Sequence, residues 1–436
     1  MLVGVVGLGY LGTTHAVALA KLGHEVVGID LNLKRIDSLT TGKVPFHEPG
    51  LEEALGEALS RRLVSFQASF DATKVPEVIF VCVGTPQADT GTATDTSFVF
   101  SAGQSIAKII ARDTVVVGKS TVPLGTAALL RDRMSKVAGF PVNLAWNPEF
   151  LKEGTALEDT LKPDRIVVGS WDHYSASRLK EVYRMILDQG TPLIEVNVET
   201  AELVKVAANA FLATKVSFIN AMAEIAEVSG ADAVHLAAAL GYDERIGDKF
   251  LKSGIGFGGG CLPKDIRGFA ARANELGVGE AVEFLKDVDS INQRRRAKVF
   301  QLAEQELGEL EHRRVLILGL SFKPQSDDIR DSPALEIARR LAQAGAVVTV
   351  HDPVSLPALG DRHPELMREQ DLQEAARDQE LVILGTEWAE YTAIGPVAFG
   401  QMVANKVIID GRNVLDVALW QAAGWRIIAL GRNVHN

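Results

Sequence analysis

Residues Gly7-Leu8-Gly9-Tyr10-Leu11-Gly12 stand between a short apolar run, Leu2–Val6, and the helix-like stretch THAVALAKLG. A GxGxxG turn in that setting joins a strand to a helix, so the chain must open with the first unit of a parallel α/β sheet. The glycines let the backbone turn tightly and approach a pyrophosphate, toward which a helix N-terminus offers free N–H groups and a positive dipole. The next apolar run, EVVGID, ends in Asp30. A carboxylate there accepts hydrogen bonds from the adenine-ribose hydroxyls and repels a 2′-phosphate, which points to NAD rather than NADP.

Further β-branched runs alternate with helical stretches at Val78–Val83, Thr114–Val117, Asn143–Trp146 and Ile166–Val168, as in a parallel, doubly wound α/β sheet. From about Thr200 to Leu240 the pattern becomes an Ala-rich helix that closes at Gly230. The alternation returns at Arg314–Leu318, Val347–His351, Leu381–Leu384, Lys406–Asp410 and Arg426–Leu430, a second and smaller doubly wound domain without a phosphate fingerprint. The expected division is 1–199, 200–300 and 313–436, in line with two or three domains for 436 residues. The basic run Arg294–Arg296 is expected to be a solvated helix face. A net charge of −11 disfavours a nucleic-acid or anionic-membrane partner, and two distant cysteines disfavour a disulfide scaffold or a metal site. With no signal-peptide or membrane-span pattern at MLVGVVGLGYLG, the expected location is the cytoplasm.

The most unusual segment is Gly254-Ile255-Gly256-Phe257-Gly258-Gly259-Gly260-Cys261-Leu262-Pro263-Lys264-Asp265. Glycines before a cysteine allow close backbone approach to a ligand, and Lys264 and Asp265 beside Cys261 suit a thiolate that attacks a carbonyl carbon better than they suit a buried, inert thiol. Cys82, inside VIFVCVG, reads as strand core. In Asn147-Pro148-Glu149-Phe150-Leu151-Lys152-Glu153-Gly154, Glu149 and Glu153 would share a face if the segment were helical. Lys205 and Asn209 have the same spacing on the Ala-rich helix. Taken alone, each pair reads as a solvated helix face; beside the cysteine loop, both become candidates for the site.

The chain resembles the UDP-glucose 6-dehydrogenase family of nucleotide-sugar dehydrogenases over nearly its whole length. The resemblance is carried in order by GLGYLG, PFHEPGL, VGTP, STVPLG, NPEFLKEGTALEDTLKPDRIVVG, ETAELVKVAANAF, ERIGDKFLKSGIGFGGGCLPKD, GLSFKPQSDDIRDSP and IDGRNVLD. Gly260 stands where that family usually has serine. The resemblance implies an NAD domain, a central helix carrying a homodimer contact, and a C-terminal Rossmann-like domain for the nucleotide sugar. It implies Cys261 as nucleophile, Lys205 and Asn209 on the substrate oxygen, Asp265 as proton acceptor through water, Glu149 as base for thioester hydrolysis, and Thr121 near the nicotinamide. NAD would be held by Gly7, Gly9, Tyr10, Leu11, Gly12, Asp30, Arg35, Thr85, Thr121, Glu153, Lys264 and Arg330. Substrate contacts would come from Glu149, Phe150, Leu151, Lys152, Glu153, Lys205, Asn209, Phe250, Lys252, Gly258, Phe322, Lys323 and Arg412, with Arg245 delivered by a neighbouring subunit.

The chemistry gives these residues a reason to occur together. Taking a primary alcohol to an acid needs two oxidations, and the aldehyde must become a tetrahedral adduct before the second. A thiolate supplies that adduct, and its oxidation leaves a thioester that water cleaves. The resemblance, closest to the UDP-glucose branch in PFHEPGL and ERIGDKFLKSGIGFGGGC, implies that the activity is oxidation of UDP-glucose to UDP-glucuronate. The alternatives are a GDP-mannose or UDP-N-acetylmannosamine dehydrogenase, a one-step β-hydroxyacid dehydrogenase with no need of Cys261, and a catalytically dead nucleotide sensor.

Overall fold

The computed structural model describes residues 1–432, so the last four residues of the expected 313–436 domain lie outside it. The first eight strands are β1 (Leu2–Val6), β2 (Glu25–Ile29), β3 (Val64–Gln67), β4 (Val78–Val81), β5 (Val115–Gly118), β6 (Asn143–Trp146), β7 (Ile166–Ser170) and β8 (Leu193–Val196). They form one sheet in the order β3-β2-β1-β4-β5-β6-β7-β8. All pairings are parallel except β6 with β7, which run antiparallel, a departure from the all-parallel sheet the alternation predicts. The central strands β4 and β5 are buried throughout, as expected where helices cover both faces. Gly118 in β5 is required by its neighbour, since a Cβ there would lie 2.0 Å from the Trp146 ring.

The second sheet contains β9 (Arg314–Leu318), β10 (Val347–His351), β11 (Met367–Arg368), β12 (Leu381–Leu384), β13 (Val407–Asp410) and β14 (Arg426–Ala429), in the order β11-β10-β9-β12-β13-β14. In each sheet the strand order reverses beside the first strand, between β1 and β4 and between β9 and β12, where α/β sheets open a ligand crevice at their carboxyl ends. The sheets share a further detail. Gly7, after β1, donates its N–H to Ile29 at the end of β2, and Gly319, after β9, donates to His351 at the end of β10. Asp30 and Asp352 follow those second strands. Asp352 is buried, and its carboxylate accepts from the N–H groups of Leu320, Ser321, Val354 and Ser355, the Ser321 hydroxyl and Trp388 Nε1.

The chain divides into two compact units, Met1–Ala208 with Arg267–Gly279, and Asn209–Ile266 with the chain from Glu280 onward. The helix Val198–Ser229 runs through the boundary and ends, as the sequence indicates, at Gly230, whose φ of 80° suits only glycine well. Arg294–Arg296 lie on the helix Phe284–Leu307, and only Arg294 is solvated. Arg295 and Arg296 are fully buried, contrary to the solvated face expected of the run. Arg295 pairs with Glu227 at 2.9 Å, and Arg296 pairs with Asp331 at 2.7 Å and Glu336 at 2.6 Å while donating to the Phe257 carbonyl. Ionic partners offset the desolvation cost, which a one-dimensional charge run does not reveal.

Candidate active site

In the first unit the GxGxxG turn carries β1 into the helix Tyr10–Lys21 at the crevice. Gly7 has φ 90°, and a Cβ on Gly12 would sit 1.7 Å from the Gly7 carbonyl oxygen. Gly9 is the residue before the helix; no side chain caps the first turn, and nothing lies within 4 Å of the place its Cβ would take. The first turn thus starts without a side-chain cap beside open space at Gly9, an arrangement suited to accept a pyrophosphate. Asp30 Oδ2 accepts from Leu8 N–H at 2.7 Å and Arg35 at 2.9 Å, and Oδ1 accepts from Asn32 N–H at 2.8 Å. Burial pushes this carboxyl up, but the two N–H donors and the Arg35 guanidinium outweigh it and hold it below the usual range. A cradle shaped by absent side chains and a half-buried anion fit a dinucleotide with a free 2′-hydroxyl. Asp30→Asn loses the charge and one of the two acceptor oxygens, so it can keep only one of the Leu8 and Asn32 bonds; its NADP-to-NAD ratio of specificity constants rises about tenfold, and an unchanged ratio contradicts the role of Asp30.

Thr85 and Thr121 sit on the loops after β4 and β5, where the Thr85 hydroxyl donates to the Thr121 carbonyl at 2.8 Å. The segment after β6 is irregular, so Glu149 and Glu153 do not share a helical face as the spacing suggested. Glu149 instead turns back to accept Leu151 N–H at 2.9 Å and pairs with Lys205 at 2.9 Å. Arg165 and Lys205 both lie over the Phe150 ring, at 3.8 Å and 5.7 Å. Lys152, by contrast, is exposed and pairs with Asp159. Sequence reasoning missed Glu48, whose buried carboxylate accepts the Tyr10 hydroxyl and the N–H groups of Gly154 and Ala156, each of these two at 2.7 Å. It ties the glycine turn to the loop that carries Glu149 and Glu153; the acidic residue inside PFHEPGL was the available signal.

In the second unit Cys261 is exposed and immediately precedes the helix Leu262–Glu275, with its carbonyl accepting the first helical bond from Asp265 N–H. A thiol at that position lies at the positive end of a helix dipole, which favours thiolate. Asp265 is buried, accepts Asn209 Nδ2 at 2.6 Å and pairs with Lys264 at 2.6 Å. Cys82, buried in the other unit, is the opposite case, pushed up to about 12 by desolvation. The glycine run packs tightly: a Cβ on Gly258 would meet the Asp331 carbonyl at 2.3 Å, and one on Gly260 would meet the Arg330 guanidinium at 2.3 Å. Arg330 is itself held by Asp328 at 2.6 Å. Serine in place of Gly260 would require only the far end of the exposed Arg330 side chain to shift.

At the β9/β12 switch point, Arg412 donates to the carbonyls of Gly385, Phe322 and Gly256. Lys323 lies 5.5 Å over the Phe322 ring. Both cations stand at the carboxyl end of the second sheet, where a diphosphate would be met. Phe250 takes a left-handed φ of 64°, Lys252 is exposed, and Arg245 is 89% exposed and paired only locally with Asp243.

A dinucleotide cradle on one sheet, cations at the crevice of a second, and a helix-start thiol with an Asp–Asn pair define a dinucleotide-dependent oxidoreductase of a nucleotide-bearing substrate. Residues 1–187 match the NAD binding domain of the UDP-glucose/GDP-mannose dehydrogenase family, 199–294 its central domain and 316–417 its UDP binding domain. The chain belongs to this family. It is 38% identical to the UDP-glucose 6-dehydrogenase YwqF of Bacillus subtilis, over 99% of this chain and 98% of that one. A UDP-glucose dehydrogenase structure from Pyrobaculum islandicum superposes with a TM-score of 0.88 at 38% identity, covering 99% and 97% of the two chains. A UDP-D-ManNAc dehydrogenase structure from Pyrococcus horikoshii gives 0.86 at 25% identity, covering 99% of each.

Proposed function

We propose that this chain is a UDP-glucose 6-dehydrogenase that oxidises UDP-glucose to UDP-glucuronate in two steps, releasing two NADH. The observation that carries the reading is Cys261 at the start of its helix, four residues before the buried Asp265 that holds Asn209. NAD, when bound by Gly7, Gly9, Gly12, Asp30 and their neighbours, supplies the two-electron acceptor for each oxidation. Asp265 receives, through water, the proton of the primary hydroxyl. The Cys261 thiolate then adds to the aldehyde carbon, and Lys205 and Asn209 donate to the oxygen that becomes negative at each tetrahedral stage. After the second oxidation a thioester remains on Cys261. Glu149, held against Lys205, takes a proton from the water that cleaves it. Lys323 and Arg412 hold the diphosphate.

UDP-glucose is preferred over UDP-N-acetylmannosamine and GDP-mannose by the 38% identity to UDP-glucose dehydrogenases over nearly the full chain. A UDP binding domain at residues 316–417 favours this reading over a one-step β-hydroxyacid dehydrogenase. NADH production with UDP-glucose, UDP-N-acetylmannosamine, UDP-galactose and GDP-mannose tests it; UDP-glucose gives the highest specificity constant, and activity confined to the GDP sugar overturns the substrate assignment.

A homodimer in the cytoplasm completes the proposal. Phe211, Phe218 and Ile225 recur every seven residues on the helix Val198–Ser229, and all are exposed, Phe211 by 67% and Ile225 by 56%. Exposed apolar residues at this spacing line one face suited to the same helix of a second copy, and the exposed Arg245 is then available to the neighbour's site. Phe218→Asp yields monomers in sedimentation, whereas an intact dimer in that variant places the contact elsewhere.

A further inference from the structure

The first unit encloses a cavity of about 60 Å³, room for a few waters, lined by His15, Lys119, Asn147, Glu149 and Tyr183 and reaching the exposed Lys152. Lys119 follows β5, is buried, and has no part in the steps above. Its ammonium donates to Asn147 Oδ1 at 3.0 Å, and the same oxygen accepts the Tyr183 hydroxyl at 2.7 Å. The Asn147 amide nitrogen is spent on the Val167 carbonyl at 2.8 Å, so this side chain cannot turn. Both ring nitrogens of His15 are buried and have no hydrogen-bond partner among the described residues. Buried polar atoms beside a polar cavity of this size are satisfied by water.

The charged and titratable groups facing Lys119 are Cys82, Glu149, Lys205 and His15, together with the Tyr183 ring at 5.9 Å. Burial pushes the Lys119 ammonium down to about 8, and burial also keeps His15 neutral, with one donor and one acceptor to offer a water chain. An amine that titrates near 8 both takes and releases protons at neutral pH.

We propose that this cavity is a water-filled proton outlet for thioester hydrolysis, in which Lys119 passes the proton from Glu149 toward solvent, a role that rests on the assignment of Glu149 as the hydrolytic base. In that step the water oxygen bonds to the thioester carbon while Glu149 takes one of the water's protons. The C–S bond breaks, and its electron pair leaves on the Cys261 sulfur as thiolate. The product acid gives its remaining proton to solvent, and Glu149 must still shed the one it took before the next cycle. Neutral Lys119 receives it through cavity water and returns it to the waters beside His15. Acting through Glu149, Lys119 is a positioning residue for the last step.

The lifetime of the substrate adduct on Cys261, followed by rapid quench and intact-protein mass spectrometry, tests the outlet. Lys119→Arg keeps a charge and a donor for Asn147 but does not deprotonate; its adduct persists about tenfold longer or more, while adduct formation keeps the parent rate. Lys119→Ala shows the same delay, and methylamine relieves it more than the weaker base trifluoroethylamine. Lys119→Gln, which keeps a neutral donor to Asn147, repeats the delay should the alanine protein fail to fold. Parent lifetimes in the Arg and Gln variants overturn the outlet, as does rescue that ignores amine basicity. Glu149→Gln separates the two assignments. A parent lifetime there overturns the base and the outlet together; a long lifetime there with parent lifetimes in the Lys119 variants overturns the outlet alone.

Discussion

Cys261→Ala retains binding of NAD and UDP-glucose and loses uronate production by about a thousandfold or more. No side chain is removed from the dinucleotide cradle or from the Lys323 and Arg412 crevice, so binding measured by calorimetry stays close to the parent's. What disappears is the thiohemiacetal, the adduct through which the second oxidation and the thioester proceed. The parent protein gives two NADH for each uronate and no free aldehyde. Glu149→Gln fails at a different stage: its thioester accumulates on Cys261 and adds the mass of an acyl sugar nucleotide to the intact protein. One NADH per turnover with aldehyde release, or full activity in Cys261→Ala, returns the chain to a one-step dehydrogenase.

Gly9→Ala and Gly12→Ala both weaken NAD binding, but only Gly12→Ala also loses stability. A methyl on Gly12 would lie 1.7 Å from the Gly7 carbonyl oxygen, roughly 1.5 Å short of an ordinary contact, and a Cβ against a backbone oxygen has no rotamer by which to escape. Gly12→Ala therefore costs about 2–3 kcal/mol of stability and distorts the turn, lowering its melting temperature and its NAD affinity together. Gly9 differs: its φ of −68° suits alanine, and the added methyl meets nothing within 4 Å. Gly9→Ala keeps the parent melting temperature yet binds NAD about tenfold more weakly or worse, because the methyl occupies space into which a pyrophosphate must come. Undiminished NAD affinity in Gly9→Ala shows that the cradle does not hold the cofactor there.

Strands read directly from the sequence where both sheet faces are covered. The runs at Leu2–Val6, Asn143–Trp146, Arg314–Leu318, Val347–His351 and Leu381–Leu384 are strands with those bounds. Of the four edge strands, β14 was read but three escaped notice: β3 is VSFQ and β8 is LIEV, partly exposed and without a continuous apolar run, and β11 spans two residues. Hydropathy reports burial, and an edge strand is held mainly by backbone bonds on one side. The same limit explains Arg295 and Arg296, whose burial depends on acids 35 to 68 residues away. The glycine turn and Asp30 were legible because their chemistry is local. Glu48 and Lys119 were not, since their partners are brought in by the sheet from positions 106 and 28 residues distant.

The carboxylate of Asp352 bears on how one chain keeps two nucleotides from becoming inhibitors of each other. Asp30 and Asp352 occupy equivalent strand ends, and a receptor built twice on one plan invites its ligands to trade places. Asp30 remains at a half-buried edge with the cofactor crevice before it, whereas Asp352 spends both oxygens on six donors of its own domain. An adenosine ribose presented to the second sheet therefore finds no acceptor for its hydroxyl pair at that strand end. The duplicated architecture is kept from confusion by filling one copy's recognition group with the protein's own hydrogen bonds, so a dinucleotide has no second seat of the same kind to occupy.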